Sequence, residues 1–204
     1  MEKYSIIIPT LWKSNTTKKL IDDLTKCNYV DEIIIIDNAS PNEIDTFHAP
    51  KIRLVSKGKN IYVNPAWNWG MELAKNEHIA ICNDDINFNT SIFELILSNN
   101  IDGIIGQSSN NFNKNQEGLP NITLMSHSRP WGWGTLLLTQ KKYWIPIPEQ
   151  LKIWYGDDFF CVKNPCKKWI LNNFPITTNM STTSDLPEFH SIKHNDGIEW
   201  VKLL

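Results

Sequence analysis

The sequence predicts an α/β fold, a mostly parallel central sheet flanked by helices. Three observations carry this. Short apolar runs that read as buried strands alternate with segments of helical periodicity through the first half of the chain, the pattern of a parallel sheet crossed by helices. Those runs are apolar along their length, as strands covered on both faces are. Polar residues (Thr10, Asp37 and the cluster Asn83-Asp84-Asp85) stand at the carboxyl ends of three of the runs, where sheets of this kind bind ligands.

The elements follow in order. Residues 4–8 are an apolar run closed by Pro9 and predict the first strand. Asn15 or Thr16 caps a helix in which Leu20, Ile21, Leu24 and Cys27 recur at helical spacing. Residues 32–36 contain four consecutive isoleucines and lead into Asp37-Asn38-Ala39-Ser40-Pro41, a second buried strand and then a polar turn. Residues 52–56 predict a third strand. Asn64-Pro65 places a cap before a proline at the first helical position and opens a helix through Lys75. Residues 78–82 predict a fourth strand, and Asn89 or Thr90 caps a helix through Leu97. The second half is less regular. Residues 103–106 and 135–139 read as strands, 110–119 as a polar loop, 158–163 as a helix with acid at its start, and 199–203 as a closing strand.

Length and composition set the frame. At 204 residues and 41% hydrophobic the chain suits one domain, 1–204, with a substantial core. A net charge of -2 and a pI near 6.2 argue against the basic face of a general nucleic-acid binder; Lys163, Lys167 and Lys168 read as a solvated loop. No run has the length of a transmembrane helix, and the opening run is too short for a signal peptide. Cys27 and Cys82 lie in apolar runs as small core residues. Cys161 and Cys166 form a lone C-x4-C pair, a weak metal signal. A reducing, cytoplasmic setting is expected.

Several residue groups carry chemistry. Asn83-Asp84-Asp85 directly follows a buried strand. Adjacent carboxylates repel, and desolvation raises the cost. A divalent cation that prefers oxygen ligands, Mn2+ or Mg2+, removes it; the alternative is a turn or helix cap, which Asp and Asn also favour. Asp157-Asp158, after Trp154-Tyr155-Gly156, offers a general base in a partly apolar pocket. Acid at a helix N-terminus is also favoured by the dipole, and both readings are compatible. His190 and His194 share a face if helical. Ser191-Ile192-Lys193 between them lacks the glutamate of the H-E-x-x-H motif, so they are metal ligands only beside an acidic site and otherwise exposed or structural. Trp131 and Trp133, flanked by Gly132 and Gly134, together with Trp154 suit a rim that stacks on a sugar ring; tryptophans are otherwise core residues.

Together these residues resemble the family-2-type glycosyltransferases of the GT-A fold, over residues 3–200 and most closely up to Asp85. Ser5-Ile6-Ile7-Ile8-Pro9-Thr10 looks like that family's first strand and nucleotide loop. Ile33 to Ser40 is similar to its second strand, which ends V-D-D-x-S. Asn60, Ala66, Asn68, Gly70 and Ala74 match the spacing of its N-x-G-x-x-x-A-x-N-x-G-x-x-x-A segment. Asn83-Asp84-Asp85 stands where the family has D-x-D, and Gly156-Asp157-Asp158 where it has its E-D pair. Compact length and abundant asparagine resemble viral members. The resemblance implies a Rossmann-like sheet with a smaller acceptor-side region. Residues 1–100 would hold the nucleotide sugar, a UDP-sugar by family frequency, and 101–204 would hold a glycan or other hydroxyl acceptor.

The resemblance also implies roles. Pro9, Thr10, Trp12, Asp37, Asn60, Asn68 and Asp84 would contact the nucleotide. Asp85, with His190 or His194, would hold Mn2+ or Mg2+ against the diphosphate. Asp158 would be the base, with Asp157 its competitor, and Trp131, Trp133 and Trp154 would meet the acceptor. A single displacement would invert the anomeric centre. Four positions depart from the family pattern: Asn83 replaces the first acid of D-x-D, Tyr62 stands where the family has glycine, Trp67 where arginine is common, and Pro165 interrupts the helix expected after the acidic pair.

Two other enzyme classes and one binding class remain to be weighed. A nucleotidyltransferase would need a glycine-rich phosphate loop after the first strand, where the chain has Pro9-Thr10-Leu11-Trp12-Lys13. A dinucleotide-dependent oxidoreductase would need G-x-G-x-x-G there. A non-catalytic sugar-binding module would keep the tryptophans but need no acidic metal site.

Overall fold

The computed structural model describes residues 2–39, 49–126, 128–180, 184 and 186–204. The chain runs β1 (Tyr4–Thr10), α1 (Thr17–Lys26), β2 (Val30–Asp37), β3 (Ile52–Ser56), α2 (Val63–Leu73), β4 (His78–Cys82), β5 (Ile86–Phe88) and α3 (Ile92–Asn99). It continues with β6 (Ile104–Gln107), β7 (Asn121–Leu124), β8 (Leu136–Gln140), α4 (Gly156–Lys163), β9 (Lys168–Asn172), β10 (Ile176–Thr178) and α5 (His190–Leu203). Among the described residues, eight strands form one sheet in the order β3-β2-β1-β4-β8-β6-β9-β7, and β10 pairs with β5 apart from it. β1 to β4 are mutually parallel, and β8 returns antiparallel to β4. This is the mostly parallel, helix-flanked α/β sheet that the sequence predicts.

Pleating explains why the strands are apolar throughout. Alternate residues of a strand face opposite sides, so Ile6 and Ile8 of β1 enter one core layer with Leu20, Ile21 and Leu24 of α1. Ile7 between them enters the other, with Ala66, Trp67 and Met71 of α2. Each side needs its own apolar set, hence the unbroken isoleucine runs.

Several boundaries move, each for a physical reason. β1 extends to Thr10 because its pairing with β2 continues to Thr10↔Asp37. Pairing with β4 has ended at Ile7, so Pro9, without an N–H, removes no needed donor there. The helix expected to be capped by Asn64 begins earlier, at Val63. Asn64 lies inside it, and its fully buried side chain bonds elsewhere. α3 starts at Ile92, past the expected caps. Residues 199–203 are the end of the helix α5, not a strand. That helix docks through the buried Asp196 and through Trp200 stacked on Tyr155, not through a wide apolar stripe, so helical periodicity is weak in its sequence. β5, β7, β9 and β10 were not predicted. No helix of the described residues is long and apolar enough to cross a membrane.

Candidate active site

Strand order places the site. From β1 the chain steps outward to β2 and β3, then returns across β1 to β4. The order therefore reverses between β1 and β4, and in open parallel sheets ligands bind at the carboxyl ends of strands at such a switch point. Those ends carry Thr10 and Asn83-Asp84-Asp85. Thr10 Oγ1 donates to Asp84 Oδ2 at 2.6 Å, bridging the gap, and receives the backbone N–H of Trp12 at 2.8 Å. The Thr17 hydroxyl donates to the Asp84 carbonyl at 3.0 Å. A cleft of about 360 Å³ opens here, lined by Pro9, Thr10, Asn60, Asp84 and Asp85 on the strand side. Burial pushes the Asp84 carboxyl up to about 6; the Thr10 hydrogen bond opposes this, and the neighbouring Asp85 charge adds to it.

The wall beside β2 is held by side chain–backbone bonds. Asn38 accepts the N–H of Ile61 at 3.1 Å and donates to the Tyr62 carbonyl at 3.3 Å, and Asn60 accepts the N–H of Tyr62 at 2.8 Å. They fix Tyr62 at φ 67°, ψ -176°, a region essentially reserved for glycine. Tyr62, where the resemblance leads one to expect a glycine, thus takes a backbone conformation that glycine adopts most easily. Tyr62 and Trp67 both line the cleft.

The opposite wall comes from α4 and the turn before β8. Arg129 donates to both oxygens of Asp158, at 2.7 and 2.5 Å, and its second terminal nitrogen lies 3.2 Å from Asp157 Oδ2. Asp157 in turn accepts the N–H of Asp158. Burial raises the Asp157 carboxyl above the usual carboxylate range, Arg129 pulls it down, and Asp158 pushes it up again. Gly134 makes this approach possible: a Cβ there would lie 2.9 Å from the Asp157 carboxyl. Trp131, 62% exposed, stands edge-on to Phe112 at the rim, and Trp154 also lines the cleft. Four carboxylates, Asp84, Asp85, Asp157 and Asp158, therefore share a cleft with one cation among its described lining residues, Arg129.

The chain matches the family model described as glycosyl transferase family 2 over residues 5–159. It belongs to glycosyl transferase family 2. The fold is GT-A, as in solved structures of S. aureus TarS. Residues 1–349 of TarS in complex with UDP-GlcNAc superpose with a TM-score of 0.64 at 14% identity, over 97% of this chain and 66% of that one. A second structure of TarS residues 1–349 gives 0.62 at 15%, over 86% and 60%. A further TarS structure gives 0.58 at 15%, over 97% and 39%. The chain thus spans about two thirds or less of these neighbours' lengths. No curated protein matches it in sequence.

For this member of family 2, the sequence-predicted residues divide. Pro9, Thr10, Asn60, Asp84, Asp85, Trp131, Trp154, Asp157 and Asp158 come together at the cleft. The others lie elsewhere. Asp37 is 1% exposed, and its Oδ1 accepts the Trp12 indole N–H at 3.0 Å and the Ala39 N–H at 2.9 Å. Asn68 pairs reciprocally with the backbone of Ile147, a link between α2 and a loop. Trp133 is no rim residue: it is fully buried, donates its indole N–H to the Trp169 carbonyl, and packs so close to Gly106 that a Cβ there would lie 2.4 Å from its ring. His190 and His194 share α5 but are exposed and are not among the cleft's lining residues. No cluster of three or more His, Cys, Asp or Glu among the described residues could hold a metal by itself. Cys161 and Cys166 are free, and burial pushes the Cys161 thiol up to about 12.

Arg129 escaped sequence reasoning. It is one of two arginines, with Arg53, among 20 basic residues. An arginine kept in so lysine-rich a chain, just before Trp131-Gly132-Trp133-Gly134, is the signal that would have found it, because arginine alone pairs with a carboxylate through a planar fork.

Proposed function

We infer that the chain transfers a sugar from a nucleotide-diphosphate sugar, a UDP-sugar as first candidate, to the hydroxyl of a glycan or other acceptor. It works as one domain, with 1–100 binding the donor and 101–204 the acceptor; lining residues from both halves meet in the cleft. One observation carries the reading: four carboxylates against one arginine at the sheet's switch point. Such a cleft repels a diphosphate unless a cation comes with it. The donor set fits Mn2+ or Mg2+. It is all oxygen, and Asp84 and Asp85 are adjacent and largely buried. Ions of this kind are held by one or two carboxylates plus substrate phosphates. Asp85 would be the principal ligand and Asp84, tied to Thr10, its support. Once bound, the cation supplies Lewis-acid stabilisation to the departing diphosphate.

The chain's own residues do the rest. Asn60, Tyr62 and Thr10 border the donor side. Trp131 and Trp154 offer aromatic faces to the acceptor sugar. Asp158 takes the proton from the acceptor hydroxyl, and Arg129, bonded to both its oxygens, holds it oriented; Asp157 is the alternative base. Attack by that oxygen on the anomeric carbon, opposite the leaving diphosphate, inverts the centre.

Incubation with a panel of UDP-sugars and Mn2+ tests this. Release of UDP, abolished by EDTA and by Asp85→Asn, supports the assignment. Turnover unaffected by both would sink the metal role, and a product with retained anomeric configuration by NMR would refute inversion.

A further inference from the structure

Asp196 is a fully buried carboxylate that the chemistry above does not use. It lies on α5, and its oxygens accept three successive backbone N–H groups: Lys152 at 3.0 and 3.1 Å, Ile153 at 2.8 Å and Trp154 at 2.9 Å. A carboxylate so buried is tolerated only when its lone pairs are met, and here the cleft's own loop meets them. From the other side Asn64 of α2 donates to the carbonyls of Leu151 at 3.2 Å and Trp154 at 3.1 Å, and its backbone N–H reaches the Lys152 carbonyl at 2.9 Å. The loop is therefore gripped through its N–H groups by α5 and through its carbonyls by α2. Immediately after it, Tyr155 takes φ 65°, a left-handed conformation uncommon for a bulky residue, and stacks at 10° on Trp200 of α5. The next residues open α4 with Asp157 and Asp158.

We propose that Asp196 is a positioning residue for catalysis: from α5 it sets the loop that presents Trp154 to the cleft and aims the Asp157-Asp158 pair at the reacting hydroxyl. This rests on the glycosyl-transfer reading of the cleft. The hydrogen bonds of Asp196 go to residues 152–154, not to the strands β1, β2 and β4 that carry the donor side. Loss of Asp196 therefore separates the two halves of the site, whereas loosening of the whole fold would weaken both together.

The test compares the wild type with Asp196→Asn, which keeps the shape but turns amide hydrogens toward the three N–H groups, and with Asp196→Glu, which restores the charge. Hydrogen exchange on the full chain reports the amides of residues 152–154. Kinetics follow hydrolysis of UDP-GlcNAc, with Mn2+ and with water as acceptor. The expected result for Asp196→Asn is faster exchange at those amides. In addition, kcat falls on the order of 100-fold, the scale of a slightly misplaced catalytic group, with the donor KM unchanged and partial recovery in Asp196→Glu. Wild-type exchange at 152–154, or a parallel change in donor KM and kcat, overturns the proposal. If Asp196→Asn does not fold, Asp196→Glu, which keeps the charge but shifts the carboxylate against the three N–H groups, is read by the same criteria. Should the wild type release no UDP from any UDP-sugar, the transferase reading fails by itself, and the exchange pattern still decides whether Asp196 holds the loop.

Discussion

At Asp84, burial and a hydrogen bond act in opposite directions, and burial prevails, raising the carboxyl from its ordinary 3.8 to about 6. A carboxyl raised in the folded state binds its proton more tightly there than in the unfolded chain. Its ionised form is a cost to the fold that is absent below the ordinary value, grows between the two values and is complete above about 6. The metal-free wild type should therefore gain thermal stability relative to Asp84→Asn as pH falls from 7 to 5, and Mn2+ should stabilise the wild type more at pH 7.5 than at 5.5. Parallel melting curves for the two proteins across that range would refute this. Across the cleft, Asp158→Asn should lower transfer kcat by about 10²- to 10⁴-fold, the usual worth of a general base, with donor affinity intact. Arg129→Lys keeps the charge but loses the fork that meets both Asp158 oxygens, so kcat should fall there too. A fully active Arg129→Lys would show that the fork has no part in aligning the base.

The elements show where sequence patterns inform and where they fail. The helix α2 packs on β1 so tightly that a Cβ on Gly70 would lie 2.4 Å from Ile7 Cγ2, in a fully buried side chain. Alanine at a helical glycine usually gains up to about 1 kcal/mol, but overpacking a filled core costs about 1–3 kcal/mol. Gly70→Ala should therefore destabilise in urea titration; a gain in stability would show that the contact yields. β1, β2, β4 and the helices between the first four strands were legible because each buries an apolar face with a period of its own; β3, only half-buried, was legible from its short Ile52–Ser56 run alone. α5 was not, because it docks by one buried carboxylate and a stacked ring, and its apolar residues Ile198 and Val201 are exposed. Trp133 was misplaced for the same reason: flanking glycines suggested a loop, while Gly106, distant in sequence, makes the room that buries it.

For the whole molecule, the site follows from topology more than from any one motif. The reversal at β1 and β4 brings Thr10 to Asp84 across 74 positions of sequence, and the cluster after β4 was visible as polar residues ending a buried strand. The facing wall was only half visible. Asp157-Asp158 stood out, whereas Arg129, Asn64 and Asp196, which hold that wall in place, lie scattered through the chain and share no spacing. Their roles arise from contacts that only the folded chain creates. The claim on which the rest depends is that a divalent cation at Asp84 and Asp85 joins the donor's diphosphate to the protein. Thermal unfolding of the wild type and Asp85→Asn with UDP, with Mn2+, with both and with EDTA tests it most directly. At about 100 times the dissociation constant, UDP with Mn2+ should add roughly 2.7 kcal/mol to the wild type, with little effect of UDP alone and none on Asp85→Asn; equal stabilisation by UDP in EDTA would contradict the account.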